Sequence, residues 1–344
     1  MNEISMIGLD TAKRVFQLCG IDKEGNCVLV RRLKRRELLG FLAKLPRCKV
    51  ALEACGASYH WAREIEKLGH QALLVPPGFV KRFAEGRHKS DGRDAKALGF
   101  AGRSPDLRAV PVRSEADQAA LLLVKTRGLM VRQRTQAANA LRGHLAEFGI
   151  TAAAGHKGFA ELLARLDKDG FGLPGPAVAG LTVLAAQWRS LEAAIATLTA
   201  SLLARAKSDP AVRRLSQMPG VGPITATVFA LKVDASRFKT GRALAAWLGL
   251  TPREHASGEK RRLGSITKAG DEDLRSLLVL GAATRLISAK RRLHSADPWL
   301  RDMLKRKPFK VAAVALAARM ARGLWAMLKT GADYRPPRLA GTTP

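Results

Sequence analysis

Six residues, Leu184, Trp188, Leu191, Ile195, Leu198 and Leu202, recur at alternating steps of four and three. Only an α-helix turns residues so spaced to one side. The seam runs through a stretch, residues 115–206, that reads as helical throughout. Its partner is either the same chain folded back as a hairpin or a second subunit in a coiled-coil arm, and the spacing fits both equally. The segment GFGLPGPAVAG, 170–180, interrupts the helices as a turn or hinge. At 344 residues the chain is longer than one core usually supports, and the helical stretch divides it. The expected organisation is a layered domain over 1–112, a helical region over 113–208, a mainly helical domain over 209–332 and a disordered tail over 333–344.

The first part has a different period. ISMIGL, VFQLCGI and CVLVRRL are short apolar runs joined by tight turns, with Gly25 and Asn26 supplying the turn chemistry of DKEGN. RRELLGFLAKL and HWAREIEKLG have helical spacing, and KVALEA and QALLVP read as further strands. Strands that alternate with helices in this way fit a mixed sheet with helices on its faces. A helix beginning at Asp91 runs to about Gly102. The expected class is therefore α/β followed by α.

Charge bounds the partners. Lys and Arg number 59 against 29 Asp and Glu, a formal net charge of +30. Such an excess favours a polyanion, through phosphate neutralisation and counterion release. The basic residues are spread along the chain and not gathered on one amphipathic segment, which favours nucleic acid over a membrane surface. No uncharged apolar run reaches the length of a membrane span, and MNEISMIGLD lacks the pattern of a signal peptide. Residues 310–329 read as a packed core helix. Cys19, Cys27, Cys48 and Cys55 form no CxxC pair, so the expectation is small buried thiols in a reducing cytoplasm, with neither zinc nor disulfides.

Against this basic background four acids stand out. Asp10 ends the first strand and Glu53 a later one. Asp91 and Asp94, in HKSDGRDAKAL, are three apart on a helix and share a side. Between residues 81 and 103 they lie among seven Lys or Arg. Each acid alone reads as well as a helix cap or an ion-pair partner. Together, at neighbouring strand ends, four carboxylates repel one another unless cations sit among them. Mg²⁺ takes carboxylate and phosphate oxygens together, and two such ions activate an attacking oxygen and stabilise a leaving one. This is the chemistry of RNase H-like nucleases, and the surrounding cations would hold a phosphodiester.

The motifs GLDTAK, ALEACG and KSDGRDA, in this order, resemble the DEDD transposases of bacterial insertion sequences. These are bridge-RNA-guided recombinases with a RuvC-like N-terminal domain and a C-terminal transposase domain, and the resemblance covers about residues 4–330. It implies an RNase H fold for the first domain and carries the metal-binding and catalytic acids onto Asp10, Glu53, Asp91 and Asp94. Cys55 departs from the pattern, where a small residue, often Thr, is expected. The implied cofactor is Mg²⁺, two ions, with Mn²⁺ as a substitute.

In the C-terminal part, MPGVGPITA has the form of a helix-hairpin-helix turn, in which Gly220 and Gly222 would let backbone approach phosphate closely. GLTPREHASGEKRRLGSITKAG follows, carrying Arg253, Lys260, Arg261, Arg262 and Lys268 as nucleic-acid-binding candidates. Residue chemistry does not choose between Ser257 and Ser265 as a nucleophile. The resemblance does: the family's serine, in the context TPRxxxSG, falls on Ser257, with His255 a nearby surface histidine. The implied activity is breakage and rejoining of target and donor DNA through a covalent 5′-phosphoserine link. It proceeds under guidance of a structured noncoding RNA, in a dimer or tetramer whose composite site forms between subunits. The alternative is a metal-dependent RuvC-like nuclease or junction resolvase with no covalent step.

Overall fold

The computed structural model describes residues 4–84, 91–257, 260–291 and 297–336, and for residues 91, 256, 257, 260 and 261 the backbone alone. The chain forms two compact units divided between Gln118 and Ala119.

Unit one is a five-stranded mixed sheet covered on both faces. Strands β1 (Met6–Thr11), β2 (Val15–Ile21) and β3 (Cys27–Lys34) form an antiparallel meander. After α1 (Leu38–Leu42) comes β4 (Lys49–Glu53), parallel to β1. After α2 (Ser58–Lys67) comes β5 (Gln71–Val75), parallel to β4, and the spatial order is β3-β2-β1-β4-β5. The short α3 (Pro77–Val80) and then α4 (Asp91–Arg103) complete the layers. Alternation along β1 feeds two cores. Ile7 and Leu9 join Phe16, Leu18, Trp61 and Ile65 on one face, while Met6 joins Cys19, Ile21 and Leu98 on the other. A sheet buried on both faces reads as continuous apolar runs, and β1 does.

The β2–β3 turn forms as its chemistry predicts. The Asp22 carboxylate, 1% exposed, accepts from the backbone N–H of Gly25 and Asn26 at 2.8 and 2.7 Å. Arg103, at the end of α4, donates to the carbonyls of Asp22 and Lys23, which ties the helix to that turn.

Unit two holds the rest of α5 (Glu115–Glu147), then α6 (His156–Asp169) and α7 (Gly175–Ser208). The seam closes inside the chain. Arg127 donates to Thr199 at 2.7 Å and Arg134 pairs with Glu192 one heptad on. These pairs set α5 and α7 antiparallel, and Leu191, Ile195 and Leu202 are buried. The expected break is confined to residues 170–174, where Gly170, Phe171 and Gly172 take left-handed backbone before α7 begins.

A second core gathers α8 (Pro210–Leu215), α9 (Pro223–Lys232) and α10 (Gly241–Trp247), then the ribbon β6 (Pro252–Ser257) and β7 (Lys260–Ile266). It continues through α11 (Glu272–Arg291), α12 (Pro298–Arg306) and α13 (Phe309–Thr330). Among the described residues α13 is the helix long and apolar enough to cross a membrane, and Leu316, Met320 and Leu324 on it are core residues. Beyond it, Asp333 and Tyr334 are held by Gln217, while residues 337–344 of the expected tail lie outside the described residues. The expectation of four buried thiols fails for two: Cys19 and Cys48 are buried, but Cys27 and Cys55 are exposed.

Candidate functional site

Asp10 lies within β1, one residue short of its end, and Glu53 is the last residue of β4. The parallel register matches Leu9 with Leu52, so the next residue on each strand, Asp10 and Glu53, emerges at the same level. Both are half-buried. Open α/β sheets bind ligands outside the carboxyl ends of their strands, and these two acids occupy that edge on adjacent central strands.

The helix α4 comes to the same edge because small residues let it. A Cβ at Gly8 would lie 1.9 Å from the carbonyl oxygen of Ala95 and 2.4 Å from the amide nitrogen of Gly99. One at Gly102 would meet Ala51 and Met6 at 2.7 and 3.0 Å. Passing from Ala95 to Gly102 the helix therefore moves from Gly8 back toward Met6, antiparallel to β1. Its amino end points to the carboxyl ends of β1 and β4. Asp94, half-buried, is the residue before Ala95, and the backbone of Asp91 begins the helix one turn earlier. The side chain of Asp91 lies outside the described residues. Among the described residues no three His, Cys, Asp or Glu side chains form a group that could hold a metal ion. The donor set itself, carboxylate oxygens without His or Cys nitrogen or sulfur ligands, fits a hard divalent cation such as Mg²⁺ or Mn²⁺.

Two features of this edge escaped sequence reasoning. Thr11 and Cys55, each next to or two beyond an acid, approach to 3.7 Å between Oγ1 and Sγ. The strand end at Glu53 is closed by a tight turn, in which the Cys55 N–H donates to the Glu53 carbonyl at 2.8 Å and the Ser58 hydroxyl to the Cys55 carbonyl at 2.8 Å. For the close approach of α4, the signal available in sequence was its row of small residues, Ala95, Gly99 and Gly102.

In unit two, Ser257 pairs with Lys260 as the outermost described pair of the β6–β7 ribbon, followed inward by Ala256 with Arg261, His255 with Arg262 and Glu254 with Leu263. Residues two apart on a strand share a face. Arg253, His255 and Ser257 are thus on one face, with Lys260 and Arg262 opposite them. Arg253, His255, Arg262, Ser265 and Lys268 are exposed, and the side chains of Ser257, Lys260 and Arg261 lie outside the described residues. A Cβ at Gly264 would lie 3.2 Å from His255 Nε2. The imidazole therefore lies across Gly264, toward the base of the ribbon and away from the serine.

That base is fixed by two left-handed glycines. A Cβ at Gly249 would meet Ala269 N at 2.4 Å, and one at Gly270 would meet Trp247 O at 1.9 Å. Arg275 donates to the carbonyls of Leu248 and Ala269 at 3.2 and 2.8 Å.

The turn between α8 and α9 uses its two glycines differently. Gly220, at φ +89°, crosses Gly281 of α11: a Cβ on Gly281 would lie 2.0 Å from the Gly220 carbonyl oxygen. Its backbone freedom serves packing within the unit. Gly222 caps α9, is exposed, and has open space where a Cβ would be.

The sequence model of the Transposase IS116/IS110/IS902 family matches residues 212–297, and a second transposase model matches residues 7–150. Across 97% of its length the chain is 43% identical to a putative transposase, y4pF/y4sB, of Sinorhizobium fredii, covering 87% of that protein. It is 42% identical to a probable family 20 transposase of Pseudomonas aeruginosa, covering 99% of it. It is 36% identical to the transposase for insertion sequence element IS1111A of Coxiella burnetii, covering 92% of it.

Proposed function

Because the chain belongs to the IS110 family of insertion-sequence transposases, enzymes that cut DNA and transfer its strands, we propose that Ser257 is the nucleophile of that transfer and that Asp10, Glu53, Asp91 and Asp94 hold the divalent ions that assist it. Ser257 Oγ attacks a DNA phosphorus, the Oγ–P bond forms, the P–O3′ bond breaks, and a 5′-phosphoserine and a free 3′-hydroxyl result. Mg²⁺ or Mn²⁺, when bound, supplies positive charge that offsets the charge of the phosphate and eases ionisation of a hydroxyl. The acids orient those ions. Arg253, Lys260, Arg261, Arg262 and Lys268 hold the DNA backbone beside the serine, and the open amino end of α9 at Gly222 adds a sequence-independent phosphate contact. A structured noncoding RNA selects target and donor DNA by base pairing, and the protein holds its backbone.

The observation that carries this proposal is the position of Ser257 at the outermost described pair of a ribbon whose described side chains, Ile266 apart, are exposed and include Arg253 and Arg262. A hydrolase has no need of a serine there. The strand order and the acids at one sheet edge favour the RuvC-like assignment, which the resolvase alternative shares. The test is trapping of the covalent complex on nicked suicide DNA. Ser257→Ala abolishes the adduct and lowers strand exchange by at least about 10³-fold, as expected when a nucleophile is removed. Asp94→Asn lowers both with the chain still folded. Cleavage that survives Ser257→Ala returns the chain to the resolvase class. Sequencing of copurifying RNA, mapped to DNA beside the gene, tests the guide.

A further inference from the structure

A cavity of about 730 Å³ opens in unit two between α5, the start of α9 and the amino end of α11. Its floor is apolar. Val124, Ile224 and Leu277 are half-buried there and packed on the core beneath them. The side formed by α5 is basic. Lys125, Gly128 and Arg132 follow one face of that helix. Arg132 folds back over Gly128, where a Cβ would lie 3.7 Å from its Nη1, so the guanidinium sits about one turn from Lys125. Arg127 lines the cavity as well, with Nε donating to Thr199 Oγ1 at 2.7 Å. The side formed by α11 is acidic, with Glu272 and Asp273 in the first turn of the helix.

The two sides do not satisfy each other. Asp273 is held by Lys232, 3.4 Å away, but among the described residues Lys125, Arg132 and Glu272 make no ion pair. Opposite charges that border one cavity and stay apart fit a molecule with an anionic end, an apolar middle and a donor end. A nucleotide has these three parts. Its phosphate suits the paired cations, its ring suits the apolar floor, and its base edge meets a carboxylate. An ionised carboxylate accepts hydrogen bonds and cannot donate them. Adenine, cytosine and uracil each place an acceptor next to the donor on that edge. Guanine offers two adjacent donors, N1–H and the N2 amino group, which match the two oxygens of one carboxylate. The volume falls within the range of about 300–1,000 Å³ that small-molecule sites occupy.

We propose that this cavity binds a guanosine 5′-phosphate unit, with Glu272 accepting from N1–H and the N2 amino group while Lys125 and Arg132 hold the phosphate. The unit is a free nucleotide or an unpaired residue of a bound strand, and the contacts are the same for both. The site is independent of the serine chemistry above. The test is equilibrium dialysis of labelled nucleoside monophosphates against the full chain, stripped of nucleic acid by nuclease and high salt and returned to physiological ionic strength. GMP binds at least about 10-fold more tightly than AMP, CMP or UMP, the discrimination of a bidentate base contact, and IMP, which lacks the N2 amino group, loses most of that advantage. Glu272→Gln abolishes the preference and leaves weak binding that does not distinguish the bases. Lys125→Ala with Arg132→Ala weakens all four nucleotides alike. All three side chains are exposed, so these variants fold as the parent does, which thermal melting checks. A uridine hexanucleotide with one central guanosine separates the two sources. Binding that depends on that guanosine and on Glu272 assigns the site to a strand, and a hexanucleotide that leaves bound GMP undisplaced assigns it to the free nucleotide. The proposal is overturned if neither probe binds with a preference for guanine, or if the preference survives Glu272→Gln.

Discussion

The acid edge of unit one and the serine ribbon of unit two are built by opposite means. Asp10, Glu53 and Asp94 stand on elements packed into two cores, with a helix laid so closely on β1 that no side chain fits at Gly8. Ser257 stands on two strands paired with each other, exposed at every described position except half-buried Ile266, and anchored at one end. A two-stranded ribbon is marginal by itself in water. The acids proposed to hold metal are thus preorganised by the fold, whereas the proposed nucleophile is carried on a ribbon fixed through its base at Gly249 and Gly270.

Matched glycine substitutions break this contrast most sharply. Gly8→Ala drives a methyl onto the carbonyl of Ala95, backbone against backbone, where neither side can yield. The expected loss is about 3 kcal/mol of stability, at the upper end for overpacking, read as a fall in the urea midpoint of unfolding. Gly270→Ala meets the carbonyl of Trp247 at a left-handed position, but at the ribbon base. There the same overlap is joined by about 1–2 kcal/mol for the backbone conformation, so the stability loss is no smaller, and covalent adduct formation per folded molecule falls at least about 10-fold as the serine is displaced. If adduct formation per folded molecule survives Gly270→Ala, the ribbon base does not position the serine and the distinction between a packed edge and a presented arm is wrong.

The layered class, the strands and the helix starting at Asp91 were legible in the sequence because period-two and period-3.6 patterns do not mimic each other over these lengths. Asp10 and Glu53 were legible as strand-end acids. Their common level was not, since register is set by pairing between segments some 40 residues apart. The partner of the α7 seam was equally hidden. A heptad specifies that a helix faces something, and only the bonds from Arg127 and Arg134 on α5 identify what. Gly220 illustrates a subtler limit. Glycine in a turn signals close approach, but the sequence cannot say whether phosphate or, as here, the backbone of α11 does the approaching. The exposure of Cys27 and Cys55 was missed because β3 is an edge strand and Cys55 sits on the outer turn after β4.

A moderate effect is expected where the ribbon anchor meets the core of unit two. The Lys232 ammonium, 7% exposed, bonds both carboxylate oxygens of Asp271 at 2.9 and 2.7 Å, and Asp271 also accepts from the Leu274 N–H to cap α11. Asp271→Asn keeps the cap and leaves Lys232 with its longer contact to Asp273, 3.4 Å away. Asp271→Ala removes the cap as well. Breaking a partly buried pair costs about 2 kcal/mol and the cap about 1. Asp271→Ala is therefore the more destabilising by about the value of the cap, which thermal unfolding of the two variants reads directly. Equal losses would mean that the cap contributes nothing to holding α11 beneath the ribbon.

The smallest effect concerns the thiols, and it probes how firmly the sheet beneath the acids is closed. Burial pushes the Cys48 thiol up to about 11 and, with the neighbouring Cys27, the Cys19 thiol up to about 12. Both groups thus stay protonated in the folded chain at pH values where an unfolded chain has already released their protons. The sign follows: the folded state holds more protons, so stability is intact below about pH 8.5, the ordinary thiol value, and declines as pH rises from there through the folded values. A disulfide reagent at pH 8 labels Cys27 and Cys55, which are exposed, and reaches Cys19 and Cys48 only after unfolding. The Cys48 sulfur also rests 3.5 Å from Nδ1 of buried His70, which accepts from the Cys48 N–H at 3.2 Å while Nε2 lies 3.0 Å from the Leu42 carbonyl. Labelling of Cys48 in the native chain as fast as Cys55 would show that β4, which carries Glu53, opens readily, and the acid edge would then be no better ordered than the ribbon.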